Sequence, residues 1–388
     1  MKRTALRLAA GSVAVVLPLA AVAACGTEKK KTVAQEFATA QEHLGDAKAA
    51  SFTLRLEDAQ GNLAKLAAKD GDVPKPVLDA LIGGSITYVA DAAGDAALRS
   101  VSSGTTDPND VAGALKKANL AFVIKDDKGE LVELRIVDGV LFAHVNLAEV
   151  GRLAEAGGAE DFDASLDEAL AGMDPRFAQA LKDVRAGKWL KLDVAPLVDD
   201  LKGLAESVVP GGVPTASAAP YDTSALGRKA WEAVKPHVTA TDANDDSADR
   251  VIDVRVKARP ALKALLGVLK AEKDLPFASV LGSVAPADID EQVADGEARG
   301  QIRLADSHLK QVSLDLESLR LLSKEPGTDS LAGVKVLVDV DDEADELSAP
   351  TDVSAIDFAE LLQELIGGFF GPAFESSASS TAGIGLAG

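Results

Sequence analysis

Few side chains in this sequence are placed for chemistry. The chain of 388 residues has one cysteine, Cys25. It follows an uncharged run from Leu8 to Ala24 and precedes Lys29, Lys30 and Lys31. A thiolate is a strong nucleophile, and at this junction it suits thioether attachment of a diacylglycerol. The four histidines, His43, His144, His237 and His308, are scattered and match no zinc spacing. His144 falls on the strand face opposite Leu141 and Val145, where a solvated histidine is expected. Ser307-His308-Leu309-Lys310 fits S-x-x-K, but in penicillin-recognising enzymes that motif opens a helix and is joined by S-D-N and K-T-G. Neither companion is present, and the motif leads here into a strand. No G-x-S-x-G, H-E-x-x-H, Walker or dinucleotide pattern occurs. The expectation is a protein that is not an enzyme, with no catalytic residues, no cofactor and no metal.

Two stretches invite a sharper reading. In Asp242 to Asp253, Asp242, Asn244 and Asp246 stand at the first three ligand positions of a calcium loop and Asp253 at the twelfth. Ser247 replaces the sixth-position glycine, and the flanks alternate like strands, so an acidic hairpin loop is expected. The stretch Asp357 to Phe374 gathers Phe358, Phe369, Phe370 and Phe374. A last helix packing on a sheet is the expected reading; an apolar flap over a cavity is the functional one.

Around Cys25 the layout is that of a secretory signal. Lys2, Arg3 and Arg7 form a positive start, a short apolar run follows, and small residues close it. The run is too short and Ala-rich for a membrane span, which needs about 20 strongly apolar residues. Val22-Ala23-Ala24-Cys25 resembles the bacterial lipobox, with cleavage before Cys25 and acylation of its thiol. Two or more acyl chains anchor stably where one is marginal. The expected location is the extracytoplasmic face of the cell membrane, held by the N-terminal diacylglycerol. With no second cysteine there is no disulfide framework, and stability must come from core burial.

Charge narrows the partners. Lys plus Arg is 40 and Asp plus Glu is 61, for a net −21. Without Lys2, Arg3 and Arg7 the balance is 37 against 61, near −24. Such a chain repels nucleic acid and anionic headgroups, so no nucleic-acid partner is expected, and the protein is expected to be a monomer. The three lysines at 29 to 31 lie where a tether would leave an anionic bilayer.

The elements behind these residues show a period of two. Phe52, Leu54 and Leu56 alternate with polar residues, as do Phe122 and Ile124, Leu134 and Ile136, Leu141 and Val145, Val254 and Val256, Leu314 and its neighbours, and Val336 and Val338. Strands with one wet and one dry face build a large antiparallel sheet. Asp127-Lys128-Gly129 and Asp138-Gly139 mark hairpin turns, and about ten or eleven strands are expected. Helical spacing covers Thr32 to Ala50, Asp107 to Ala118, Phe162 to Leu170, Pro175 to Val184, Ala195 to Val208, Ala225 to Val234, Pro260 to Ala271 and Ser354 to Ile366. The Pro/Gly/Ser/Ala stretch Val208 to Ala225 reads as a long loop inside one domain. The expected organisation is a signal peptide over 1–24, a lipidated tether over 25–32, one α+β domain over 33–370 and a disordered tail over 371–388.

This order is similar to the extracytoplasmic lipoproteins of the LppX/LprG kind, in the LolA-like superfamily, of actinobacterial type. The likeness is carried by the lipobox, the meander Leu131 to Leu147, Gly187 to Asp193 with Trp189, and Ser348-Ala349-Pro350. It implies a large antiparallel open half-barrel wrapped around helices, with acyl chains of lipids or lipoproteins held in the hollow, and the ligand expected here is a lipid or lipoglycan. The candidate cavity residues are Phe52, Leu54, Leu56, Phe122, Ile124, Leu134, Ile136, Val254, Val256, Leu314, Val336 and Val338. Two functions remain open: a carrier or binder of an apolar ligand, and a non-enzymatic envelope scaffold with a filled core. The same alternation builds either.

Overall fold

Period-two strands and period-3.6 helices lie where one dry sheet face needs cover. In the computed structural model, the described residues are 33–70, 75–94, 96–99, 118–156, 161–173, 175–193, 223–244, 249–272, 284–324 and 330–356. Cys25, the tail and the phenylalanine-rich stretch from residue 358 lie outside them, as do the expected helices at Asp107 and Ala195 and most of the Val208 to Ala225 stretch.

Helix α1 (Val33–Asp46) opens the described chain and leads into β1 (Ala49–Asp58). Two short helices follow, α2 (Asn62–Asp70) and α3 (Lys75–Gly83). The Asp58 carboxylate starts α2 by accepting the N–H groups of Asn62, Leu63 and Ala64 at 2.8, 3.0 and 3.2 Å. Strands β2 (Ser85–Ala92), β3 (Ala118–Lys125), β4 (Glu130–Val137) and β5 (Val140–Val145) then run as a meander. Asp138 and Gly139, with φ of 54° and 78°, make the tight turn between β4 and β5, as a two-residue hairpin of matching twist requires.

Helices α4 (Leu147–Ala156), α5 (Phe162–Gly172) and α6 (Pro175–Arg185) precede β6 (Trp189–Asp193). In the second half, α7 (Thr223–Val234) leads to β7 (Val238–Asn244), β8 (Asp249–Lys257), α8 (Ala258–Ala271) and α9 (Pro286–Gln292). Strands β9 (Glu297–Ala305) and β10 (His308–Asp315), helix α10 (Leu316–Arg320), and strands β11 (Val334–Asp341) and β12 (Val353–Ile356) complete it.

The twelve strands of the described residues form one sheet in the order β12-β6-β5-β4-β3-β2-β1-β11-β10-β9-β8-β7. Its edges, β12 and β7, do not meet, so it is open. Every pair is antiparallel except β12 on β6. The centre joins N- and C-terminal halves through β1 and β11, with Ser51 opposite Asp341 and Asp58 opposite Val334. The architecture is therefore α+β, a large open antiparallel sheet with helices.

The strand total exceeds the expected ten or eleven. Strand β2 escaped the alternation because Val89 is apolar on its polar side, and β9 because Ala298 and Gly300 supply little apolar bulk on its dry side. Ser354, expected to begin a helix, lies in β12, whose ladder with β6 outweighs local helical spacing.

Helices α1, α7 and α8 cover the dry face at β7 to β11. Phe37 and Ala40 of α1 and Val234 of α7 pack with Ile252, Val254, Val256, Ile302 and Val312 in one buried cluster. Arg250 ties this cover down, placing Nη1 2.6 Å from Glu36 of α1 and bonding Asp242 of β7 through Nε at 2.7 Å and through Nη2. Glu36 and Asp242 hold the guanidinium above its ordinary pKa. A smaller cluster joins α8 and α9 through Leu266 and Ile289.

Candidate ligand-binding face

Facing residues in a ladder share a face, so the registers lay out the dry side row by row. The central row runs Val340, Phe52, Tyr88, Phe122, Leu134, Ala143, Leu190, from β11 through β1 to β6. Beside it lies Val338, Leu54, Ile86, Ile124, Val132, Val145. On its other side lies Ala50, Ala90, Leu120, Ile136, Leu141, Leu192. Leu56 and Val336 face each other beyond.

The two halves of this face are covered differently. Under α1, α7 and α8, Val254 is 2% exposed, Val256 7% and Leu314 7%. Over β1 to β4, Leu54, Ile86 and Leu134 are each 37% exposed and Tyr88 41%. Neighbouring Phe52, Leu56, Phe122, Ile124, Ile136, Val336 and Val338 are half-buried. The register thus brings the candidate residues onto one face, but packing separates them. Val254 and Val256 belong to the filled core and Phe52 packs against it, while Leu54, Ile86, Tyr88 and Leu134 remain open. Tyr88 and Ile86 were not singled out from sequence; the alternation Ile86, Tyr88, Ala90 was the signal, blurred by Val89.

Helices line this open half. Helix α3 packs against β1 and α4, α4 against β4, and α6 against β5, β6 and β12. Ser354 of β12 donates to Asp183 of α6 at 2.8 Å. Gly151 lets α4 meet α5: a Cβ there would stand 2.6 Å from the Phe162 ring.

The opposite face is mixed: Ala121, Val123, Val137 and Phe142 are buried there, beside polar residues. Arg55 donates to Asp339 at 2.5 Å and Gln311 to the same carboxylate at 2.6 Å. The chain after β11 crosses this side: Leu347 N–H donates to Asp91 at 3.0 Å, the Ser348 carbonyl accepts from Arg135 at 3.2 Å, and Trp189 N–H donates to the Asp352 carbonyl at 3.0 Å. His144 is less solvated than expected, with its ring 5.2 Å from Trp189 and Nδ1 3.2 Å from Glu130. His43 and His308 stack at 4.6 Å, and His308 Nδ1 lies 2.5 Å from Asp342.

Strands β7 and β8 pair on either side of the acidic stretch, whose Asp246 and Ser247 lie outside the described residues. Asp242 faces Ile252 and Asp253 faces Thr241, so the two carboxylates project to opposite sides of the sheet. Asp242 is bonded to Arg250, and Asp253 accepts from Gln301 at 2.9 Å. Among the described residues, no three His, Cys, Asp or Glu side chains are grouped to hold a metal ion. Ser307 lies in the β9–β10 turn, where Asp306 and Ser307 have φ of 50° and 67°, and Lys310 lies in β10. No described helix is long and apolar enough to cross a membrane.

No protein-family model matches the sequence, and comparison with curated proteins gives no match. Solved structures do match. The Mycobacterium tuberculosis lipoprotein LppX aligns over 81% of this chain and 96% of its own, at 9% identity and a TM-score of 0.26. LprF from Mycobacterium bovis aligns over 82% of this chain and 96% of its own, at 8% identity and a TM-score of 0.28. This chain is similar to the LppX and LprF lipoproteins. No residue role passes from either at these scores, and the site rests on this chain's own geometry.

Proposed function

We propose that the protein is a membrane-anchored extracytoplasmic lipoprotein that holds an apolar ligand, a lipid or a lipidated molecule, against the dry face of β1 to β4. Cys25 carries the anchor, and residues 33–370 act as one domain. The observation that carries this reading is the contrast within one sheet face. Leu54, Ile86 and Leu134 stay 37% exposed in register, whereas Val254 and Ile302 on the same face are 2% and 0% exposed. Contiguous exposed apolar surface marks a binding site more often than it occurs idly, and ligand sites are mostly apolar with few polar groups.

An acylated protein held at a bilayer meets such ligands at high local concentration. Acyl chains need no charge partner, in keeping with rows that carry none. The test is binding of a fluorescent fatty acid to the mature chain carrying Cys25→Ser. Saturable uptake, abolished by Leu134→Glu at unchanged melting temperature, is expected. A parent that takes up no probe and purifies without lipid would instead be a scaffold with a closed surface.

A further inference from the structure

We infer that Tyr88 is the specificity-determining residue of this face, its hydroxyl donating a hydrogen bond to one uncharged oxygen set within an otherwise apolar ligand. The inference rests on the binding function proposed above and adds which ligands the face prefers.

The rows over β1 to β6 and β11 contain Val, Leu, Ile, Phe and Ala at every position but one, and Tyr88 is that one. At the margins, Asp58 is spent on capping α2 and Ser354 on Asp183. Tyr88 stands mid-sheet and mid-row, between Phe52 and Phe122, with its ring 6.4 Å from that of Phe52. No side-chain hydrogen bond forms at its hydroxyl among the described residues, although burial pushes the phenol above its ordinary pKa. The group is thus a neutral, partly exposed donor set among apolar neighbours.

A phenylalanine would have completed the row with the same shape. Tyr88 is 41% exposed, so water satisfies its hydroxyl while the face is empty; a ligand that covers the ring displaces that water and must supply an acceptor in its place, or leave the hydroxyl unpaired. That acceptor is uncharged, because the rows offer no cation to balance a carboxylate or phosphate. An ester or hydroxyl oxygen meets the requirement; a pure hydrocarbon does not, and an anionic group would have to stay outside, in water.

The experiment is competition for the neutral probe N-phenyl-1-naphthylamine on the mature chain carrying Cys25→Ser, with and without Tyr88→Phe. The competitors are methyl palmitate and heptadecane, both delivered from cyclodextrin. In the parent, the ester should displace the probe about tenfold better than the hydrocarbon, the worth of one hydrogen bond in an apolar site. Tyr88→Phe should erase that preference by weakening the ester alone, at unchanged melting temperature. If both compounds compete but the parent shows no preference, or Tyr88→Phe keeps it, Tyr88 does not set specificity and the binding reading survives. If neither probe nor competitor binds the parent, the binding reading fails and this inference with it.

Discussion

Leu134 and Val254 occupy the same face of one sheet, but substitutions at them should behave differently. Val254 is 2% exposed under helices and Leu134 37% exposed. Val254→Trp should overpack the core and cost about 1–3 kcal/mol. Leu134→Trp has room at the surface and should shift the melting temperature by less than a third as much. Thermal melts of the two variants check this, and equal losses would mean that the β1 to β4 half is as filled as the rest. Tyr88 was not legible, because its meaning comes only from partners on β1 and β3 that register supplies.

Helix α1 covers the dry face at its first buried cluster, and Arg250 fixes it. Its side chain is 12% exposed and joins Glu36 of α1 to Asp242 of β7. Arg250→Ala leaves two partly buried carboxylates facing each other without their cation, and should cost roughly 2–4 kcal/mol. Arg250→Lys should rescue only part of this, since one ammonium cannot reproduce the forked geometry. Urea unfolding of both variants measures it; a near-neutral Arg250→Ala would show that apolar packing alone holds α1.

Much of this scale could be read from alternation. The strands at Phe52, Phe122, Leu134, Val254, Leu314 and Val336 were evident, as was α1 from Phe37, Ala40 and Leu44. The β1–β11 pairing could not be read, because nothing local in either strand names a partner far along the chain. The division of the face into a covered and an open half was equally hidden. It depends on where α1, α7 and α8 settle, whereas Val254 and Leu134 look alike in their strands.

For the whole molecule, charge sets the response to pH. Asp249 is held below its ordinary pKa by Arg303, Asp290 by Lys263 and Glu317 by Arg320. Desolvation of Asp339 works the other way, but Arg55 and Gln311 outweigh it and its pKa is lowered too. Such groups contribute fully above their unfolded pKa, about 4. Their contribution is lost as pH falls through the lower folded value, where the unfolded chain binds more protons. Relief of repulsion in a chain of net −21 is slight above about pH 5, because carboxylates with an ordinary pKa near about 4 stay ionised there. The melting temperature should therefore hold or rise slightly down to about pH 5 and fall below about 4. One that kept rising below 4 would contradict the ion-pair account. At the membrane, Cys25→Ser should move the protein from the membrane fraction to the soluble one. Retention in high salt would overturn the covalent-anchor reading.

The central claim is that the open half of the dry face takes an apolar ligand. Native mass spectrometry of the mature chain carrying Cys25→Ser, stripped of lipid and then offered palmitate, tests it most directly. The account predicts a mass increment of one bound ligand, lost in Leu134→Glu while the variant keeps its melting temperature. An apo mass unchanged by palmitate, in a parent that also carried no lipid before stripping, would contradict it.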